Sequence, residues 1–239
     1  MQLAIAQRAL LFLIFGLSSA FAAEPFVDQL RITVETTAAS SYLWRGWETN
    51  SSASLQPAIT LAWRDFSLTT WHNFSRHAPA NQAWTEHDLS FSYSPSYKKW
   101  TFTLSATAFL FPDKCAAEGN RSYEFTVGVT RKHWLQPSFA ISHDFKLGNG
   151  TYYYASIGHT FQLTKRADFS ALLGAGLNQH QWTRTTTLSD VDTILSTNIA
   201  LNPRTTLTPS FTYMTGNRTL FGSHRAVSLK LSMRLWGSE

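Results

Sequence analysis

A single cysteine, Cys115, leaves the chain without the means to form an internal disulfide. Charge is also scarce: Asp, Glu, Lys and Arg make up 15% of the 239 residues, against about 25% in an ordinary soluble domain. No stretch beyond the N-terminal region reaches the roughly 18 consecutive apolar residues that mark a membrane-spanning helix. Glycine-rich phosphate loops of the Rossmann and P-loop kinds are missing. The net charge is +5 without any Lys/Arg cluster, which speaks against nucleic acid as a partner. Histidines and acidic residues show no tight ligand spacing, so no metal and no other cofactor is expected.

What the chain has in quantity is aromatic residues: nine Trp, eight Tyr and seventeen Phe, enough to furnish the interfacial belts of a membrane protein. Its N-terminus reads as an export signal. Arg8 supplies a thin positive region, Ala9–Leu17 is apolar, and Ala20-Phe21-Ala22 fits a small-x-small cleavage site. Residues 1–22 are therefore expected to be removed, leaving 23–239 as one domain. An exported, aromatic, charge-poor chain without a spanning helix is either a secreted β-domain or a membrane barrel.

Periodicity separates the two. About twelve segments alternate with period two, near residues 30–45, 53–64, 66–74, 85–94, 99–110, 122–131, 135–145, 151–163, 167–178, 190–201, 205–215 and 226–236. Most are as long as the 9–11 residues a tilted strand needs to cross a bilayer, well beyond the ~5–6 of soluble sheets. In 226–236 one face is Val227, Leu229, Leu231, Met233 and Leu235, and the other is Ser228, Lys230, Ser232 and Arg234. From the second connection onward, short turns alternate with longer loops, as in outer-membrane barrels. Trp63, Trp100, Trp134 and Trp236 fall beside short turns or the C-terminus, while Trp44, Trp47, Trp71, Trp84 and Trp182 fall near longer loops. All nine are expected in two interfacial belts. The fold expected is an all-β, antiparallel transmembrane barrel of about twelve strands, with ten to fourteen compatible with the pattern.

Alternation assigns Arg45, Glu35, Glu86, Asp88, Glu124, Asp144, Lys230 and Arg234 to the lumen. These mixed charges either bias the solutes that pass or pair across the lumen and stiffen it. Arg45 lies in "SYLWRGWETN" (41–50), read as the end of the first strand, with Glu86 or Asp88 as its expected partner.

The stretches "SSYLWRG", "LQPAITLAW" and "FSLTTWHNFS", with the later "YEFTVGV" and "GTYYYASIGHTF", resemble the TorF-like (Gcw_chp) group of bacterial outer-membrane proteins. The resemblance spans most of the chain through short motifs and departs at "TTWHN", where the group has Trp, a small polar residue and Asn. It implies a Gram-negative outer-membrane location and no particular activity.

Three functions follow from this reading. The first is a narrow passive, porin-like channel for small hydrophilic solutes, bounded by outer-membrane lipid and inserted by the barrel-assembly machinery. The second is a structural or binding barrel that does not conduct. The third, an outer-membrane lipid hydrolase, would have to draw on His72 with Ser75 or His77, or on His87 with Glu86 and Asp88. The His-x-Ser-Asn-Gly type of element carried by phospholipase barrels is missing, and the chain is not expected to be an enzyme. Oligomeric state is not encoded in any feature of the sequence.

Overall fold

The computed structural model describes residues 29–75, 84–112 and 119–237. The expected leader, His77 and Cys115 lie outside these residues.

Bilayer-crossing segments appear in chain order as β1 (Leu30–Ala39), β4 (Ser54–Trp63), β5 (Phe66–Ser75), β6 (Trp84–Tyr93), β8 (Trp100–Leu110) and β9 (Arg121–Arg131). They continue as β10 (Ser138–Asp144), β11 (Gly150–Thr164), β12 (Ala167–Gln179), β13 (Thr186–Asn202), β14 (Thr205–Thr215) and β15 (Ser223–Trp236). Two short strands, β2 (Tyr42–Trp44) and β3 (Trp47–Asn50), form a separate hairpin, and β7 (Ser96–Tyr97) extends one turn. Every long strand pairs antiparallel with its neighbours, β6 joins β8, and β1 joins β15. The result is a closed ring of twelve strands, the expected architecture.

One expected boundary is corrected. The 30–45 segment is not a single strand: β1 stops at Ala39, and 42–50 turns back on itself as the β2–β3 hairpin. At the other weakly patterned place, β13 starts at Thr186, earlier than the alternation shows.

Register sorts the side chains into two faces. The outward set on β15 is Val227, Leu229, Leu231, Met233 and Leu235, all exposed, and β8 adds Phe102 and Leu104. Such a continuous apolar wall suits hydrocarbon. The inward set is dominated by hydroxyls that bond across neighbouring strands. Examples are Thr60 with Thr69 at 3.0 Å, Ser90 with Thr107 at 2.9 Å, Ser138 with Ser156 at 2.7 Å and Ser210 with Ser228 at 2.7 Å. These pairs satisfy polar groups inside the ring without filling it, because each side chain is small.

The chain enters at Leu30 and leaves at Trp236 on the end that carries the short turns, here called the inner end. The opposite, outer end holds the hairpin. Buried apolar side chains concentrate there: Phe109, Tyr152, Met214 and Phe221 all surround the hairpin or its contacts. The core of this molecule is therefore a plug in the outer mouth.

The two faces make a direct test. Leu229 sits mid-strand and outward, so Leu229→Arg should destabilise the barrel in lipid by about 2–4 kcal/mol. Ser228→Ala on the inward face should cost under about 1 kcal/mol. Urea unfolding in liposomes measures both, and equal costs would remove the face assignment.

Candidate functional site

The site begins with a turn. Trp44 pairs with Trp47, leaving Arg45 and Gly46 as the two central residues, with φ of 47° and 91°. Positive φ at both positions is the type I′ hairpin geometry, which normally takes Asn-Gly or Gly-Gly. Arginine in the left-handed region costs about 1–2 kcal/mol. Gly46 has a further constraint, since a Cβ there would lie 2.4 Å from the Ser189 carbonyl oxygen and 2.8 Å from Phe221. The turn is thus pressed against β13 and the β14–β15 connection.

Arg45 explains why an arginine occupies that position. Its Nη1 donates to Glu124 Oε2 at 2.5 Å and to Gln181 Oε1 at 2.6 Å, and its Nη2 donates to Glu124 Oε1 at 2.8 Å. Gln181 Nε2 donates to Glu124 Oε2 at 2.9 Å, closing the network. The guanidinium carbon lies 4.7 Å from the Trp44 ring centroid and 4.6 Å from that of Tyr152. Glu124 is on β9 and Tyr152 on β11, whereas the hairpin springs from between β1 and β4. In a twelve-strand ring those positions face each other, so the hairpin spans the diameter of the mouth.

The hairpin is braced along both sides. Gly46 N–H points at Met214 Sδ at 3.3 Å, and the Trp47 ring packs edge-on against Phe221 at 4.6 Å. On the other side Trp44 meets Phe109 and Trp182, both at 6.4 Å, and Tyr42 meets Trp71 at 5.4 Å. The Tyr42 hydroxyl hydrogen-bonds to Glu86; burial, then the charges of Glu86 and Asp88, push its pKa well above the usual range. It stays a neutral donor.

Beside the hairpin, towards β5, β6 and β8, lies a cavity of about 440 Å³. Tyr42, Trp44, Trp47, Phe109, Phe111 and Trp182 contribute its rings, with Asn73, Thr85 and Glu86 on the strand side. Among the described residues, Glu86 is the sole charged one in this lining.

A second set of partners stands on the β11–β13 wall. Tyr152 donates to Asp190 Oδ2 at 2.8 Å and Tyr154 to Asp192 Oδ2 at 3.2 Å. The two hydroxyls pass over Gly176 and Gly174 of the intervening strand, where a Cβ would lie 2.4 Å and 1.9 Å from them. Ring-over-glycine packing of this kind stiffens a sheet and pins its register. "YYY", "GAG" and "DVD" are each visible in the sequence; their diagonal alignment is set by register alone.

Against the expected site, the placement is mixed. Arg45 pairs with Glu124, not with Glu86 or Asp88, because the hairpin carries it across the mouth. Glu35 and Lys230 form an inward-facing pair at 3.1 Å near the middle of β1 and β15. Arg234 donates to the Pro203 carbonyl at 2.9 Å at the inner end. Asp144 Oδ1 is taken up by its own turn, accepting from Ser122 Oγ and from the backbone N–H of Lys146, Gly148 and Asn149. Glu86 and Asp88 share the inward face of β6.

Of the nine tryptophans, Trp44, Trp47, Trp71 and Trp182 pack inside the mouth and do not face lipid. The hairpin they brace draws them in. Trp100, Trp134 and Trp236 are exposed at the short-turn end, and Trp63 stacks on Phe66 there. The Trp84 backbone opens β6 at the outer end.

Among the described residues, the groups weighed for hydrolysis are not brought together. His72 and His87 meet through their Nδ1 atoms at 2.6 Å, opposite each other in register. Their neighbours Trp71 and Asp88 turn inward, so both imidazoles are on the outward face. Ser75, Glu86 and Asp88 occupy the other face. Adjacent strand residues cannot share a site.

The Arg45 network should dominate local stability. Arg45→Ala leaves Glu124 buried without its counter-charge, a loss of about 3–5 kcal/mol. Arg45→Lys should recover little of it, since an ammonium cannot reproduce the two-pronged contact. Combining Arg45→Ala with Glu124→Gln should return much of the loss in urea unfolding; additive losses would show that the pair is not coupled.

Three-dimensional comparison places the fold among porins. The NanC porin superposes with a TM-score of 0.55 at 10% identity, covering 85% of this chain and 100% of its own. The KdgM porin gives 0.55 at 10% identity, over 84% and 98%. The KdgM porin in complex with disordered oligogalacturonate gives 0.51 at 9% identity, over 87% and 99%. At such identities the likeness is one of fold. No family model matches the chain, and no curated protein matches either, so the TorF-like likeness rests on its short motifs. What the chain shares with these structures is the small antiparallel barrel of outer-membrane porins.

Proposed function

We propose that this protein is a narrow passive channel of the Gram-negative outer membrane for small hydrophilic solutes, exported by its N-terminal leader and inserted by the barrel-assembly machinery. One observation carries the reading: an apolar outer wall encloses a lumen lined by small hydroxyl side chains and narrowed at one place by the β2–β3 hairpin. Ser and Thr pairs offer donors and acceptors to a passing solute without a bulky side chain in its way. The porin-like fold supports the same function, and Glu35, Lys230 and Arg234 place charge along the inner part of the route.

The hairpin also supports a second reading. Tied across the mouth by Arg45, it suits a barrel that binds at its outer end and does not conduct. Refolded protein in planar bilayers separates the two. The channel reading expects small, discrete conductance steps. Replacing residues 42–50 by a short Gly/Ser link should enlarge the steps several-fold, since a barrel of this size is otherwise open. Silence of both proteins across salts and voltages would transfer the function to the non-conducting barrel.

A further inference from the structure

The outer half of the lumen is acidic. Glu86 and Asp88 on β6, Glu124 on β9, and Asp190 and Asp192 on β13 all lie on inward-facing positions there. Arg45 is the one described cation set among them, and Glu124 takes both prongs of its guanidinium, while Glu86 has partners of its own, the Tyr42 hydroxyl among them. Of the exposed basic residues at the same end, Arg121 and Arg225 fall on the outward alternation, and Lys146, Arg184 and Arg218 stand on the connecting loops.

Two oxygens sharpen this imbalance. Among the described residues, none donates a hydrogen bond to Asp88 Oδ1 or to Asp192 Oδ1, although both atoms are buried. Asp192 is only 9% exposed, and its other oxygen is held by Tyr154. Asp88 sits one inward-facing position deeper than Glu86 on β6, beyond the lining of the aromatic cavity. A buried carboxylate oxygen without a donor is satisfied either by a proton or by a cationic neighbour.

The protein also shows how this mouth treats a cation of its own. The Arg45 guanidinium is sandwiched by the Trp44 and Tyr152 rings and clasped by a carboxylate. The cavity beside Trp44 carries the same kinds of group: aromatic rings and the Glu86 carboxylate. The guanidinium is seated against β9 and β11, and Gly46 and Trp47 meet Met214 and Phe221 on the β14–β15 side, so the cavity is the space beside the hairpin towards β5, β6 and β8.

We propose that this cavity binds a small organic cation, an ammonium or guanidinium compound, held by the rings of Tyr42, Trp44 and Trp182 and by Glu86, with Asp88 as the next carboxylate inward. Ring faces and carboxylates attract such ions together, and the attraction grows where water is excluded. An acidic sugar would meet like charge at each of these positions. The proposal deepens the channel reading by naming a class of solute, but binding at the cavity does not itself require conduction.

Binding is therefore tested without a current. Three tryptophans line the cavity, so Trp emission of the full chain refolded in detergent reports occupancy. Tetramethylammonium and guanidinium, at ionic strength held constant with sodium chloride, should change that emission saturably. Galacturonate and glucose should not. Glu86→Gln should weaken the tetramethylammonium response about tenfold, and heat-modified electrophoretic mobility checks that the variant is folded. A response to galacturonate or glucose equal to that of the cations would overturn the proposal, as would a folded Glu86→Gln variant that binds unchanged. If that variant does not fold, the reversal potential of the unaltered protein in a potassium chloride gradient decides. Preference for potassium supports the proposal, and preference for chloride refutes it. Absence of any current would count against the channel reading alone, since the emission titration stands independently of it.

Discussion

In hydrocarbon a backbone N–H or C=O without a partner costs several kcal/mol, so a sheet in a membrane has to close. Everything else in this protein follows from that requirement. The ring of twelve strands exists because β1 pairs with β15 and leaves no exposed edge. Closure then divides every strand into a face for lipid and a face for the lumen. The outward face needs only to be apolar. The inward face is free to carry hydroxyls, carboxylates and glycines, because water and neighbouring side chains satisfy them there.

The outer mouth breaks the regularity, and its chemistry concentrates there. A turn that would ordinarily be Asn-Gly is Arg-Gly, held at positive φ by an ion pair with the opposite wall. Backbone strain of this kind persists where its surroundings fix it, and such places are often functional. The hairpin imports the buried apolar packing that the rest of the barrel lacks. Behind it, the Tyr152–Asp190 and Tyr154–Asp192 pairs brace the wall through which Glu124 and Gln181 reach the guanidinium.

The barrel itself was legible in the sequence because alternation and strand length recur over twelve segments and turn spacing over the connections between them. Val227 to Leu235 alone shows the two faces. The site was legible only in part. Arg45 stands out among Tyr42, Trp44 and Trp47, but β-alternation continues through 40–45 without a break, so the hairpin inside the mouth was read as more of the first strand. Arg-Gly also lacks the composition that announces a type I′ turn. The inward tryptophans were misplaced for a related reason: a ring at a strand end has the same position in sequence whether it faces lipid or lumen. His87 beside Glu86 and Asp88 looks like a cluster in one dimension, and the pleat separates it.

The hairpin changes what sets the width of the passage. The radius of a closed barrel is fixed by its strand number and stagger, and no single substitution alters it. Here the limiting dimension is instead the gap between a nine-residue insert, 42–50, and the β5–β8 wall. Ring rotation and side-chain length govern that gap. The same scaffold could thus be retuned for thinner or thicker solutes by exchanging residues of one loop, with no strand pairing disturbed.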